Sequence, residues 1–248
     1  MNKTIFLPSQ LKTNLGSIAK VVCCPNFVMG TTTGLVKQNN EDSIGCHIKK
    51  NFVRICIADG HWGNDAAKLI TNHWLKNKGI FPNCSTEAIR ETKIIENKLF
   101  KIFGKSRMDP NKDFTPEASF IAIEIIRNKI SIVSYGDCRL LIANNGVTKF
   151  HLKSKSTWLG VFSRLQLRKR LSIDQAINFR QMQLVRGDFI FLFTDGVDQC
   201  IYEKDTISFD YISEQSSNTN LLNIFDKIVG EVFAHGAQDN ASLAIFKF

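Results

Sequence analysis

Four short acidic islands hold the chemistry this sequence offers: Glu41-Asp42, Asp59-Gly60, Asp195-Gly196 and Asp239-Asn240. Two of them end the most apolar strand-like runs, "FVRICIADG" from Phe52 to Gly60 and "GDFIFLFTDG" from Gly187 to Gly196. Strands this hydrophobic are buried on both faces, so a carboxylate at the end leaves the core with little water around it. An isolated buried carboxylate is unfavourable unless it is paired or binds a cation. Several of them, each delivered from a different strand end, point to an oxygen-ligand site for Mg²⁺ or Mn²⁺.

The elements that must position these acids follow from periodicity. A strand is expected near Ile18 to Cys23, then "FVMGTTTG", then two strands within "DSIGCHIKKNFVRICIAD" joined by a turn at Lys49 to Asn51. A helix is expected over 64–76, since Ala67, Ile70 and Trp74 recur at three- and four-residue steps. A second spans 86–103, with Ser85 as N-cap, Gly104 as stop, and Ile89, Ile95, Leu99, Ile102 and Phe103 facing the core. After a polar loop over 105–116, four strand-like runs read as one meander: "ASFIAIEII", "ISIVSYGD", "RLLIAN" and "VTKFHL". Residues 153–178 are mixed, a loop with short helices. "FIFLFTD" is another buried strand. A helix over 220–233, carrying Leu222, Phe225, Ile228, Val229 and Phe233, precedes the strand "ASLAIFKF". Strands grouped between helices, without regular βαβ alternation, favour an α+β layering of helices on antiparallel sheet.

Composition narrows the class. The 248 residues are 44% hydrophobic and 22% charged, ordinary for a globular chain able to bury a core without disulfides or structural metal. No apolar stretch approaches the roughly 20 residues of a membrane span. The opening "MNKTIFLPSQLKTNLG" lacks the apolar core of a secretory signal, so a cytoplasmic location is expected. The seven cysteines form no C-x-x-C pair and read as reduced, mostly structural thiols. The net charge of +9 permits acidic partners. Its basic residues are spread rather than blocked, however, and the tightest cluster is Arg164, Arg168, Lys169 and Arg170. A solvated face is the plainer reading of that cluster.

The islands and their surroundings also resemble a known family. "TTGLVKQNNEDS", "IADGHWG", "SYGDCRLL", "FTDGVDQ" and "QDNASLAIF" are similar, in order, to the signature segments of the protein phosphatase 2C (PPM-type) metal-dependent Ser/Thr phosphatases, from Gly30 to Phe248. Each segment alone is weak; five in order, at expected strand ends, are specific. The resemblance implies a four-layer α-β-β-α sandwich of two antiparallel sheets flanked by helices, as a single domain over 1–248 with 1–25 unassigned. It implies two Mn²⁺ or Mg²⁺ ions, and leaves a third open. Asp59 matches the bridging ligand, Gly60 a carbonyl ligand, Asp195 and Asp239 further ligands, and Glu41 and Asp42 acids acting through bound water. Cations sharing a water lower its pKa, so hydroxide can attack phosphorus in line without a phosphoenzyme. His61 matches a proposed general acid for the serine leaving group; the plain alternative is a surface histidine beside the site. His47, His73, His151 and His235 have no motif context.

This chain also departs from the pattern. Lys37 stands where the family has a phosphate-gripping arginine, which keeps the charge and loses the bidentate fork. Cys138 replaces a serine. Asp137 is expected as a supporting acid rather than a ligand. Asp113 and Asp198 each fall one residue out of register for further acids. The span between Asp137 and Asp195 is short, so the flap, expected around 153–180, is reduced. The leading expectation is a phosphatase acting on phosphorylated protein, monomeric, with neither nucleic acid nor membrane as partner. The alternative is a catalytically silent phosphatase-fold interaction module; a two-metal nuclease is a third reading.

Overall fold

A computed structural model describes residues 3–7, 16–76, 81–104, 114–153, 157–160, 171–201 and 204–248. Two antiparallel sheets face each other. The first runs β1 (Lys3–Leu7), β4 (Ser43–Ile48), β5 (Val53–His61), β6 (Glu117–Ile126), β7 (Lys129–Tyr135) and β11 (Asn178–Gln183). The two-residue β10 (Leu159–Gly160) pairs with the start of β6. The second sheet runs β2 (Ile18–Cys24), β3 (Phe27–Thr32), β13 (Ala241–Lys247), β12 (Phe189–Phe193), β8 (Arg139–Asn144) and β9 (Val147–Leu152).

Strand alternation sorts the core into layers. In β5, Ile55 and Ile57 face the second sheet, where they meet Ile190 and Leu192 of β12. Cys56 and Ala58, on the opposite face, lie under Ala67, Ile70 and Trp74 of helix α1 (Asp65–Lys76). Helix α2 (Ser85–Phe103) adds Ala88, Ile95 and Leu99 to that outer layer, beside the short α3 (Ile173–Ala176). On the other side Phe189, Phe191 and Phe193 meet Ile224, Phe225 and Ile228 of α6 (Leu221–Ala234), with Ile212 of α5 (Phe209–Glu214). The order is helix, sheet, sheet, helix, so the expected four-layer sandwich is the observed architecture. Among the described residues no helix is long and apolar enough to cross a membrane.

Several local expectations differ. The four central runs do not form one meander. β6 pairs with β7 in the first sheet and β8 with β9 in the second, the chain crossing between sheets over 136–138. Turn signals mark where a strand stops, not which sheet the next one joins. Ser85 is the first residue of α2 rather than its cap; Cys84 holds that place without a side-chain bond, and Glu87 accepts from the Asn83 amide at 2.9 Å. Ile102, expected to face the core, is exposed. β11, "NFRQMQ", was not foreseen, because a half-buried polar edge strand has little alternation. The cluster Arg164, Arg168, Lys169 and Arg170, and Asp113, lie outside the described residues.

Candidate metal centre

The same alternation that buries isoleucines carries carboxylates to one end of the space between the sheets. Continuing from Ile55 and Ile57, Asp59 falls on the inner face of β5, opposite Ser119 of β6. Ile44 and Cys46 set the inner face of β4, and Asp42 precedes them in phase. From the other sheet, Ile190 and Leu192 lead to Thr194, and Ser242 lies in phase with Ala244 and Phe246. The hydroxyls of Thr194 and Ser242 donate to Asp42 Oδ2 at 2.9 and 2.8 Å. The two sheets are thus joined by hydrogen bonds to one carboxylate that is only 1% exposed.

The other islands lie within the electrostatic reach of this carboxylate. Asp195 opens the four-residue helix α4 (Asp195–Asp198) directly after Thr194, so "FIFLFTD" ends as strand at Phe193. Asp239 precedes β13. Its neighbour Asn240 acts as a clasp: its side-chain amide donates to the Thr33 and Asn39 carbonyls, and its Oδ1 accepts from the Glu41 amide at 2.8 Å. Both Asp-Gly pairs need their glycine for close backbone approach. A Cβ on Gly60 would lie 2.3 Å from the Glu41 carbonyl oxygen, and one on Gly196 would lie 2.0 Å from that of Asn240. Either contact would push apart the segments that carry the acids.

Charge is concentrated accordingly. Burial, then the charges of Asp195, Asp42, Asp137 and Asp239, raise the Asp59 carboxyl well above the usual carboxylate range. Burial pushes Asp42 up to about 8 against the Ser242 and Thr194 hydrogen bonds, with Asp239 and Asp195 adding repulsion. Asp195 rises to about 7 through burial and Asp137, partly offset by Arg139. Asp137, read from sequence as a supporting acid, therefore lies among these charges. Asp198 is held by Arg139, whose Nε is 3.1 Å from Oδ1 and 3.2 Å from Oδ2. Even so, burial outweighs that pair and lifts Asp198 to about 6.

Lys37 is not poised at a distance. Its Nζ lies 3.3 Å from Asp239 Oδ1 and 3.8 Å from Glu41 Oε2. It is a counter-charge to the very acids that resemble metal ligands. His61 ends β5, and its ring centroid is 4.8 Å from that of Trp158. Glu41 Oε1 accepts from the Gly63 amide at 2.5 Å, which pins the turn after His61 to the first island.

An all-oxygen donor set suits a hard divalent cation. Two oxygens of the cluster, Asp42 Oδ1 and Asp137 Oδ1, are buried without a hydrogen-bond partner. An unsatisfied buried group of this kind costs about 1–3 kcal/mol, more when charged, and a cation would relieve it. In donor chemistry the residues suit such an ion. Among the described residues, however, no three His, Cys, Asp or Glu side chains already stand close enough to cage one. They share a charge field rather than a common point. The supporting groups Thr194, Ser242, Asn240 and Arg139 were not singled out from sequence. Their signal was placement, since each lies inside or beside an acidic motif.

Neither family sequence models nor curated protein sequences match this chain. Solved structures do. A bacterial serine phosphatase carrying a point substitution superposes with a TM-score of 0.71 at 14% identity, over 92% of this chain and 100% of that one. The serine/threonine phosphatase of S. agalactiae gives 0.66 at 16% identity, over 94% and 99%. The catalytic domain of the serine/threonine protein phosphatase PstP, in complex with two manganese ions, gives 0.63 at 15% identity, over 93% and 99%. The chain has the fold of the PPM-type bacterial phosphatases, in agreement with the likeness of its motifs.

Proposed function

We propose that this chain is a metal-dependent protein phosphatase, one domain over 1–248, that hydrolyses phosphoserine and phosphothreonine. The carrying observation is the mutual repulsion of the buried Asp42, Asp59 and Asp195 on this fold, with two orphaned carboxylate oxygens, on Asp42 and Asp137, among them. Burying that much like charge is unfavourable, and a bound cation would relieve it. Two Mn²⁺ or Mg²⁺ ions, held by Asp59, the Gly60 carbonyl, Asp195, Asp239, Glu41 and Asp42, would supply the positive charge that makes a water nucleophilic near neutral pH.

The chain's own groups then divide the remaining work. Thr194 and Ser242 hold Asp42 in one orientation through Oδ2, which leaves Oδ1 unbonded and available to a cation. Lys37, with its side chain 28% exposed, exchanges its bonds to Asp239 and Glu41 for the phosphate oxygens once those acids bind cations. As water attacks phosphorus, a P–O bond forms and the bond to the serine oxygen breaks. His61 protonates the departing oxygen, its ring steadied against Trp158. The substrate is a phosphorylated protein; the protein acts as a monomer in the cytoplasm, without nucleic acid or membrane.

One observation favours the silent interaction module instead: Lys37 already neutralises two of the acids without any metal. Hydrolysis of p-nitrophenyl phosphate separates the readings. The phosphatase reading expects turnover that requires Mn²⁺ or Mg²⁺ and is lost in Asp59→Ala. Metal-independent turnover, or none in the unaltered protein, would count against it.

A further inference from the structure

The turn that follows the first Asp-Gly pair carries an aromatic residue with no role in the fold's interior. Trp62 is 51% exposed, although tryptophan gains most when buried. Its backbone is left-handed, with φ of 63°. For a bulky residue that conformation costs about 1–2 kcal/mol and persists only where the surroundings impose it. Here they do: Gly60 packs on the Glu41 carbonyl and the Gly63 amide is bonded to the Glu41 carboxylate, so both ends of the turn are fixed to the acidic cluster.

The two rings of this turn have different partners. His61 turns to Trp158. Trp62 stacks on Phe114, with centroids 3.9 Å apart and planes 12° from parallel. Phe114 is itself 41% exposed. A stacked pair that leaves this much ring surface in water, on a turn locked to a buried site, forms a rigid apolar shelf with one face covered. Rigid exposed aromatic groups beside a cleft are what binding surfaces use as anchors, because little side-chain entropy is lost when they are covered.

We propose that Trp62, backed by Phe114, binds an aromatic or large aliphatic side chain flanking the phosphorylated residue of the substrate, and so selects among phosphoproteins. The proposal rests on the phosphatase reading. The phosphoryl group supplies charge for the cations and Lys37; the shelf reads the apolar neighbour that a phosphate alone does not provide. It also accounts for a strained tryptophan where a smaller residue would fold as well.

The test is a ratio of kcat/KM values with Mn²⁺ for two phosphoserine peptides that differ only in flanking residues, phenylalanine or leucine against alanine. The unaltered protein is expected to favour the apolar-flanked peptide by about fivefold or more, the scale of one aromatic contact. Trp62→Gly suits the positive φ and removes only the ring, so folding is spared; its ratio is expected to fall to about one, whatever its absolute rate. Trp62→Phe should retain most of the preference. A ratio near one in the unaltered protein, or one unchanged in Trp62→Gly, overturns the proposal while leaving phosphatase activity intact. Failure of the unaltered protein to hydrolyse p-nitrophenyl phosphate would overturn the phosphatase reading and this inference together.

Discussion

Thr194 and Asp42, 152 positions apart in the chain, meet in a buried hydrogen bond of 2.9 Å that joins the end of a strand in one sheet to the start of a strand in the other. Asp42 cannot turn without breaking it. Thr194→Val keeps the shape and removes the donor, leaving a buried carboxylate short of one bond. Unfolding in urea above about pH 8, where Asp42 is ionised, should show a loss of about 1.5–3 kcal/mol, the range for hydrogen bonds to charged groups. Because that bond also lowers the Asp42 pKa, Mn²⁺ binding should weaken in the same variant. A variant as stable as its parent, with equal Mn²⁺ affinity, would show that the bond positions nothing.

Protons and cations compete for the same carboxyls. Asp42 and Asp195 titrate at about 8 and about 7 in the fold, well above the ~3.9 of an unfolded aspartate. Between the unfolded and folded values the folded chain holds protons that the unfolded chain has released, so stability falls as pH rises. The chelated protein should therefore melt lower at about pH 8.5 than at about pH 6 through these groups. Metal binding expels those protons, so the rise in Tm caused by Mn²⁺ should be larger at the higher pH. Thermal melts with chelator and with Mn²⁺ across this range check both slopes. A Mn²⁺ effect that shrinks as pH rises would contradict the assignment.

Lys37 is bonded to two acids that a metal would need. Replacing it by methionine removes a competing cation, so Mn²⁺ should bind several-fold more tightly by calorimetry. The same change removes a phosphate contact, so KM for phosphopeptide should rise by about tenfold, roughly 1.4 kcal/mol. Lys37→Arg should restore KM and lower it further through the bidentate fork. If Lys37→Met leaves both quantities alone, Lys37 is neither counter-charge nor phosphate contact.

Arg139 is 2% exposed and its partner Asp198 is 1% exposed. Removing one member of a buried pair costs about 3–5 kcal/mol, and Lys153, 3.9 Å from Asp198 Oδ2, is then the counter-charge that remains. Arg139→Met should destabilise by that order in denaturant unfolding, and adding Asp198→Leu should recover part of the loss. Additive losses in the double variant would mean that the two side chains are not coupled.

The central strands and the acidic islands were legible because burial on both faces leaves an unbroken apolar run, and a terminal carboxylate interrupts it. Asp59 is the clearest case: its phase with Ile55 and Ile57 could be counted along the chain. What could not be counted was partnership across sheets. Nothing local in "ASLAIF" says that Ser242 donates to Asp42, and nothing in "GDCR" says that Arg139 faces Asp198. The crossing at 136–138 was lost for the same reason, since a strand's sheet is chosen by long-range packing. Lys37 is expected from its place in the motif to grip phosphate, whereas its bonds to Asp239 and Glu41 depend on folded geometry that no local pattern carries. β11 escaped because polar edge strands carry almost no periodic signal.

The central claim is that separated acids converge to bind divalent cations. Calorimetric titration of chelator-treated protein with Mn²⁺, alongside the Asp59→Asn variant, tests it most directly. Two equivalents bound with release of protons, and at least one lost in Asp59→Asn, is the expected result. No saturable binding, or the same stoichiometry and affinity in the variant, would contradict it.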